Sequence, residues 1–232
     1  MKQKNILIVC LLTAVYSLVP AFADENPKED QIQPKPAYRT MTFFFGLGAT
    51  LSPKTSHSIA LSTVSAVPTG DTTDSSAAQF QLEGVLRMSQ NIGISGILES
   101  NKYLYKGDTS GNGDSHLGLM VMPRFELPFE TGAFWAGFGG GMMFSKILGG
   151  VSTTDTGVTF SGSDQNTSGF EYSPRLGINF RVSDNAVLDF MGAYTSFSGK
   201  VTGTYSGAAN GTFTDSFTRS WSSIVVRFGI SI

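Results

Sequence analysis

The sequence contains very few of the residues on which metal, redox or nucleophilic chemistry usually depends. It has one cysteine, Cys10, and two histidines, His57 and His116, among 232 residues. Cys10 lies in an N-terminal segment that we expect to be removed, so the mature chain would form no disulfide and have no reactive thiol. Only 15 % of the residues are charged, and the net charge is −2. This balance offers no basic surface for nucleic acid, and we expect no nucleic-acid partner.

Residues 1–23 have the pattern of a secretory signal peptide. Lys2 and Lys4 form a basic end, an apolar run follows at residues 6–19, and Ala21 and Ala23 flank a small-x-small cleavage site. The apolar run is short for a helix that spans a membrane. Cleavage after Ala23 removes both lysines and leaves 14 basic and 18 acidic residues, a net charge of −4.

Residues 24–38 are polar, contain Pro27, Pro34 and Pro36, and show no periodicity. Such a composition is typical of a short flexible leader. The remaining residues, 39–232, have the length of one domain and are enough for one closed sheet.

The last twelve residues, 221–232, alternate with a period of two. Val226, Phe228 and Ile230 lie on an apolar face, and Arg227 lies on the opposite face. Seven earlier segments alternate in the same way: 41–51, 79–88, 92–105, 117–125, 134–144, 171–181 and 188–195. A final strand must pair on both edges or leave one edge exposed. We therefore predict eight strands whose last strand closes on the first, as a barrel.

The connections between these strands alternate between long and short. Long polar connections are predicted at 52–77, 107–115, 147–169 and 199–219, and short ones at 89–91, 127–131 and 183–185. All short connections fall at one end of the barrel. Short turns at one end, long loops at the other and an even strand number are typical of bacterial outer-membrane barrels. Within strand four, Pro123 cannot donate to the ladder and predicts a bulge or local break.

In this pattern, residues 39–232 resemble the small eight-stranded outer-membrane β-barrel family, which includes OmpX, the OmpA transmembrane domain and the opacity proteins. Many members end in Phe, whereas this chain ends in Ile232, with Phe228 on the same face. The resemblance implies an all-β, eight-stranded antiparallel up-and-down transmembrane barrel in the bacterial cell outer membrane. Residues 24–38 would then lie in the periplasm. The implied partners are the lipid bilayer, lipopolysaccharide and the barrel-assembly machinery during biogenesis.

A soluble secreted barrel or sandwich would alternate too, and the polar face distinguishes the two. The charges on this face are arginines and acids, with no lysine, which suits a confined lumen in which charges need partners. We predict an interior charge network of Glu83, Arg87, Glu99, Arg124, Glu126, Glu171, Arg175, Arg181, Asp189 and Arg227, with Arg227 and Asp189 in direct contact. The rest of the lumen would be filled by Phe44, Met120, Met122, Trp135 and Met143.

Aromatic residues near the predicted strand ends suit the girdle of a membrane barrel. They are Tyr103, Tyr105, Phe144, Tyr172 and Tyr194.

No segment has a complete catalytic or metal-binding motif. Residues 108–113 are similar to the start of a calcium loop, but the twelfth position is Leu119 instead of a bidentate Glu. We read this segment as a turn-rich loop and expect no metal and no cofactor. His57 has Ser56 and Ser58 beside it, yet no nucleophile elbow or triad is recognisable. We therefore expect no enzyme, and a lipid-modifying activity is the least favoured alternative.

The predicted function is a structural and surface-interaction role, adhesin- or antigen-like, through long extracellular loops that contact a host or matrix protein. Residues 200–206 and 212–218 favour strands beyond the membrane, and residues 207–211 favour a turn. The free edge of this hairpin would bind a partner by strand addition, with apolar contacts from Tyr205, Phe213 and Phe217. The alternative is a small gated channel or a conduit for hydrophobic molecules, like the OmpW-type barrels.

Overall fold

The computed structural model describes residues 41–62, 71–73, 77–104, 113–148, 151–153, 159–207 and 210–232. The predicted signal peptide, the leader, Tyr105 and most of the calcium-like segment lie outside these residues. Eight long strands form the fold: β1 (Met41–Leu61), β2 (Ala78–Arg87), β3 (Ile92–Leu104), β4 (Gly113–Phe129), β5 (Gly132–Ile147), β6 (Gln165–Arg181), β7 (Ala186–Ser206) and β8 (Gly211–Ser231). Three further strands, of three residues each, lie in the connections: Asp71–Thr73, Val151–Thr153 and Thr159–Ser161.

Each long strand pairs antiparallel with the next one along the chain, and β8 pairs with β1. The closing ladder runs from Thr42 opposite Ser231 to Leu61 opposite Phe213. The sheet is therefore a closed ring, and the predicted eight-stranded up-and-down barrel is confirmed. Among the residues that the structure describes, no helix is long and apolar enough to cross a membrane.

Successive side chains along each strand point alternately into the lumen and to the outside of the barrel. Phe43 and Phe45 are about half exposed, at 48 % and 47 %, whereas Phe44 between them is 2 % exposed. Every long strand places apolar side chains outward in this way, and together they form an outer belt. We call it the apolar belt; its members include Phe43, Leu82, Ile94, Leu119, Phe138, Leu176, Phe190 and Val226.

The three short turns lie together at one end of the barrel, which we call the lower end. They connect β2 to β3, β4 to β5 and β6 to β7. Pro123 has no partner in the ladder between β4 and β5, although the register is the same at Val121–Gly140 and Arg124–Gly137 on either side. The sequence thus correctly predicted a local break at Pro123, and the register shows no bulge.

Several predicted loops are in fact strand. β1 continues from residue 52 to Leu61 through a register shift between Leu51 and Lys54. Ser52 has a φ of 48° at this shift, and Pro53 follows it, where a missing donor is tolerated. The loop prediction was wrong for residues 52–61 because Ser- and Thr-rich residues suggested a loop, although threonine also favours strands. β7 and β8 likewise continue to Ser206 and from Gly211, as the predicted strands at residues 200–206 and 212–218 require.

These continuations of β1, β7 and β8 form a three-stranded sheet above the apolar belt. We call it the protruding sheet; it comprises residues 54–61, 196–206 and 211–220. Ser58 pairs with Ser216, and Ser216 pairs with Lys200. The barrel wall on this side is therefore much taller than a membrane-spanning strand of about 9–11 residues requires.

Candidate functional site

The lower part of the lumen is crossed by a chain of charged side chains that is centred on Arg227. Asp189 lies directly opposite Arg227 in the β7–β8 ladder, and Asp189 Oδ1 is 2.8 Å from Arg227 Nη2. Arg227 Nη1 also donates to Glu83 Oε2, across the lumen on β2. Glu83 Oε1 is in turn 3.4 Å from Arg124 Nη1. The four side chains are fully buried, so each charge depends on its neighbours for compensation.

This chain of charges extends to the lower mouth of the barrel. Glu126 Oε1 is 2.7 Å from Arg124 Nε, and Glu126 Oε2 accepts a hydrogen bond of 3.0 Å from Arg87 Nε. Arg87 is only partly buried, since it lies at the lower end of β2. Arg181 is exposed and makes none of the ion pairs that join described residues, so the structure places it outside the predicted network.

Two aromatic rings are stacked between the guanidinium groups. The ring of Trp135 has its centroid 4.1 Å from Arg124 Cζ and 4.8 Å from Arg227 Cζ. Its Nε1 donates a hydrogen bond of 2.6 Å to Asp189 Oδ2. The ring centroid of Phe44 also lies 4.8 Å from Arg227 Cζ. The rings therefore fill the space between the ion pairs and add cation–π contacts.

The middle of the lumen is apolar on one side and charged on the other. The apolar cluster is formed by Ile97, Met120, Met122, Trp135, Met191, Ala193 and Val225. Beside it, Arg175 Nη2 donates a hydrogen bond of 2.5 Å to Glu99 Oε2. Glu171 is fully buried nearby, and its two carboxylate oxygens accept no hydrogen bond from any described residue.

The upper lumen contains a second polar cluster, around Arg219. Its Nη2 donates to Asp114 Oδ2 at 2.8 Å, and its Nε donates to Thr55 Oγ1 at 2.9 Å. Its Nη1 donates to His116 Nε2 at 2.8 Å, so the remaining proton of a neutral His116 is on Nδ1. That Nδ1 lies 2.5 Å from Ser145 Oγ and donates to it. His116 consequently has no lone pair that could accept the Ser145 proton, and this contact does not form a catalytic dyad.

The other histidine, His57, does not meet the serines that flank it in sequence. Ser56 and Ser58 are exposed on the outer face, because neighbouring residues of a strand point to opposite sides. His57 Nδ1 instead lies 2.6 Å from Asp215 Oδ2 on β8. This pair was not predicted, since residue 57 was assigned to a loop. Among the described residues, no group of three or more His, Cys, Asp or Glu side chains could hold a metal ion.

The protruding sheet packs its aromatic residues inward. Tyr103, Phe197, Phe217 and Trp221 form a buried cluster with Ala77 and Met143. The assignment of Tyr103 to an outer girdle was therefore wrong, because it lies on the same inward face as Asn101. Phe144, Tyr172 and Tyr194 are exposed on the outside, as a girdle requires. The lumen-filling residues Phe44, Met120, Met122, Trp135 and Met143 are all buried inside.

The predicted free edge of the hairpin is not free. β8 pairs with β1 as far as Phe213, and the upper end of β7 pairs with Thr159–Ser161. Gln165 Oε1 also accepts a hydrogen bond of 2.9 Å from Thr202 N. Tyr205 and Phe217 are 4 % exposed and face inward, and Phe213 is only partly exposed. Binding by strand addition at this edge, with these three residues as contacts, is therefore contradicted.

Comparisons with known proteins agree with this architecture. No protein-family model matches the chain, and neither does any curated protein. Among solved structures, the outer membrane protein OprG from Pseudomonas aeruginosa is similar, with 15 % identity, a TM-score of 0.57, and coverage of 83 % of this chain and 96 % of OprG. Neisserial surface protein A has 9 % identity and a TM-score of 0.45, with coverage of 82 % and 97 %. The outer membrane protein AlkL has 14 % identity and a TM-score of 0.44, with coverage of 90 % and 97 %.

At such identities the likeness to OprG concerns the fold. It agrees with the closed ring of eight strands. The chain is an eight-stranded antiparallel β-barrel with the fold of the small bacterial outer-membrane barrels.

Proposed function

We propose that the protein is a closed, non-conducting barrel that presents the protruding sheet at the cell surface for contact with a host or matrix protein. The long connections and the protruding sheet then face the exterior, and the three short turns face the periplasm, as in other barrels of this membrane. One observation carries the proposal: the lumen is crossed by ion pairs, while three strands continue together beyond the apolar belt.

The ion pairs argue against a permanent channel. A permeating ion would have to pass between Arg227, Glu83 and Arg124, which form contacts across the whole lumen. Separating a buried pair leaves an uncompensated charge, at a cost of about 3–5 kcal/mol. Trp135 and Phe44 occupy the space beside these side chains. The lower lumen is therefore closed by contacts that support one another.

The outward face of the protruding sheet is a regular array of hydroxyl groups. Thr218 lies between Ser56 and Ser198 in one cross-strand row, and Ser216 lies between Ser58 and Lys200 in the next. The inward face is held by the aromatic cluster around Trp221. A flat polar face on a rigid support can form many hydrogen bonds with a protein surface at little entropic cost. We infer that recognition uses this face and not the strand edge.

The alternative is a small gated channel or a conduit for hydrophobic molecules. The observation that favours it is the group Met120, Met122 and Met191 in the middle of the lumen. Methionine side chains are flexible and adapt to irregular apolar ligands. A conduit would still need the ion pairs around Arg227 to separate. A lipid-modifying enzyme has no such supporting observation among the described residues, because Ser56 and Ser58 point away from His57 and both nitrogens of His116 are occupied.

Two further partners follow from the location in the outer membrane. Lipopolysaccharide would surround the upper border of the apolar belt. The barrel-assembly machinery would act on β8, whose Phe228 and Ile230 point outward at its lower end.

Conductance in planar bilayers tests the closed barrel. We expect the purified wild-type protein to give no resolved channel openings, and Arg227→Ala to give a leak, because the substitution removes the centre of the crossing chain. Channel openings in the wild-type protein that depend on voltage would contradict the proposal and support the alternative. Lys200→Ala, on the outer face of the protruding sheet, is the matched control and should give no channel openings.

A further inference from the structure

The middle of the lumen has two carboxylates and one arginine among the described residues. Arg175 forms its ion pair with Glu99, whereas Glu171 forms none and its oxygens accept no hydrogen bond. The lower chain of charges, in contrast, is balanced, with three acids and three arginines: Glu83, Glu126, Asp189, Arg87, Arg124 and Arg227. The middle lumen therefore has one negative charge in excess when both of its glutamates are ionised.

Two inward-facing glycines allow the carboxylate of Glu171 to approach Glu99. Gly141 of β5 is the ladder partner of Glu171 and has no side chain that could block the path. A Cβ on Gly118 of β4 would lie 2.6 Å from Glu171 Oε1, so the carboxylate lies directly over that glycine. Gly118 is in turn the ladder partner of Glu99 on β3. Ladder partners have Cβ positions about 4.5–5.5 Å apart, so the carboxylate of Glu171 lies roughly one strand spacing from the Glu99 side chain.

Two buried amide groups add further oxygens at the same place. Asn101 Nδ2 donates to Glu99 Oε1, and Gln79 Nε2 donates to Glu99 Oε2, each at 3.3 Å. Both amide side chains are 2 % exposed, and their oxygens, Asn101 Oδ1 and Gln79 Oε1, accept no hydrogen bond from a described residue. Each oxygen belongs to an amide group that is bonded to Glu99, so the two oxygens lie around its carboxylate. Glu171, Glu99, Asn101 and Gln79 thus form a buried group of acceptor oxygens.

We propose that this group, which we call the cation site, binds a monovalent metal cation, Na⁺ or K⁺. Carboxylate and carbonyl oxygens are the ligands that hard cations prefer. One positive charge balances the excess, whereas a divalent ion would leave a positive charge in excess beside Arg175. Because Glu99 and Glu171 are fully buried, the occupant is a small ion and not an organic cation.

The bound ion would join three strands of the wall. Gln79 lies on β2, Asn101 and Glu99 lie on β3, and Glu171 lies on β6. Binding to the folded protein alone would make the stability of the barrel depend on the alkali ion in the buffer. The inference concerns the middle of the lumen and does not depend on the proposed surface role.

Urea unfolding in lipid vesicles tests the cation site. It compares NaCl, KCl, CaCl₂ and N-methylglucamine chloride at equal ionic strength, since the organic cation is too large for the site. At an alkali-ion concentration ten times the dissociation constant, the ratio of folded to unfolded wild-type protein should be about tenfold higher than in N-methylglucamine chloride. Glu171→Gln should remove this difference, and it keeps the ion pair between Arg175 and Glu99.

Asp215→Asn is the matched control, because it makes the same isosteric change at a buried carboxylate that contacts His57, outside the cation site. It should keep the tenfold difference between the salts. Heat-modifiable migration on a gel should show that both variants are folded. Loss of the difference in Asp215→Asn as well would overturn the proposal, because the effect would then follow net charge.

A second measurement needs only the wild-type protein. Thallium(I) has the charge of K⁺ and scatters anomalously, so crystals that contain it should give an anomalous peak beside the carboxylate of Glu171. Equal stability of the wild type in the alkali salts and in N-methylglucamine chloride would overturn the proposal, and so would thallium peaks only at other places. Stabilisation by CaCl₂ alone would also overturn it, since the charges of the site require a single positive charge.

Discussion

Arg227 and Asp189 face each other across the β7–β8 ladder, with Nη2 and Oδ1 2.8 Å apart and both side chains fully buried. Their relation follows from counting residues from the lower ends of two neighbouring antiparallel strands. The contact between Arg227 and Glu83 does not follow in this way, because β2 lies across the lumen. Contacts across a barrel depend on the tilt of its strands and on the stagger of their register. Counting residues along two neighbouring strands gives neither quantity.

The first prediction concerns this pair. Arg227→Ala should lower the free energy of unfolding by about 3–5 kcal/mol, because Asp189 and Glu83 lose a common buried partner. A double-mutant cycle of Arg227→Ala and Asp189→Ala should give a coupling energy of about 1–3 kcal/mol, measured by urea unfolding in lipid vesicles. The exposed pair Lys146–Asp164 is the control and should give a coupling below about 0.5 kcal/mol. Additive effects at Arg227 and Asp189 would contradict the contact.

The second prediction compares two glutamates of the middle lumen. Glu99 is paired with Arg175, whereas Glu171 has no hydrogen-bond partner among the described residues. Glu99→Gln should therefore destabilise the barrel by about 3–5 kcal/mol, since Arg175 loses its ionised partner. Glu171→Gln should change stability by less than about 1 kcal/mol in N-methylglucamine chloride, since it removes no ion pair and no hydrogen bond. Both substitutions are isosteric. Equal losses of stability in the two variants would show that Glu171 has a partner too.

The third prediction uses two glycines of the barrel wall. A Cβ on Gly141 would overlap the main-chain oxygen of Leu119 on β4, whereas a Cβ on Gly96 would meet no atom within 4 Å. Gly141→Ala must displace a neighbouring strand and should destabilise the barrel by at least about 1–3 kcal/mol. Gly96→Ala should change stability by less than about 0.5 kcal/mol. Heat-modifiable migration against temperature measures both. If the two variants unfold at the same temperature, the distance between β4 and β5 at Gly141 must be larger than in the structure.

The fourth prediction concerns orientation. An epitope tag inserted between Gly207 and Asn210 should be accessible to antibody on intact cells, because the strands of the protruding sheet end at Ser206 and begin again at Gly211. The same tag inserted at residues 183–185 should be labelled only after the outer membrane is permeabilised. Labelling of residues 183–185 on intact cells would invert the topology.

Much of the fold could be predicted because the period of two is strict where one face meets lipid and the other meets the lumen. The same rule placed Phe44 and Trp135 inside and Phe43 and Phe45 outside. Above the belt this constraint ends, since both faces can be polar. Residues 52–61 therefore suggested a loop, although they are strand.

Tyr103, Tyr205 and Phe217 were placed outside, whereas they pack inward. For Tyr103 the alternation with the buried Glu99 already indicated the inward face. The pair His57–Asp215 was missed because residue 57 was assigned to a loop; β1 reaches it only after a register shift between Leu51 and Lys54. A bulge of this kind has a weak sequence signal, a proline after a serine in a polar segment.

The last prediction concerns surface contact, and two variants separate the presence of the protruding sheet from the chemistry of its face. Replacement of residues 201–215 by a short Gly-Ser link removes its upper part, and the barrel should still assemble because Arg227 and its partners lie far below. Ser216→Glu/Thr218→Glu keeps the sheet but places two charges in the middle of the hydroxyl array.

If the face binds a host or matrix protein, cells that carry either variant should attach several-fold less than the parent cells. Ser222→Glu, placed lower on the same face of β8 at the border of the belt, is the control for charge and should attach like the parent. Attachment that is lost in the deletion but retained in Ser216→Glu/Thr218→Glu would assign binding to the turn at the tip. Attachment equal to that of the parent in both variants would show that the protruding sheet has no adhesive role.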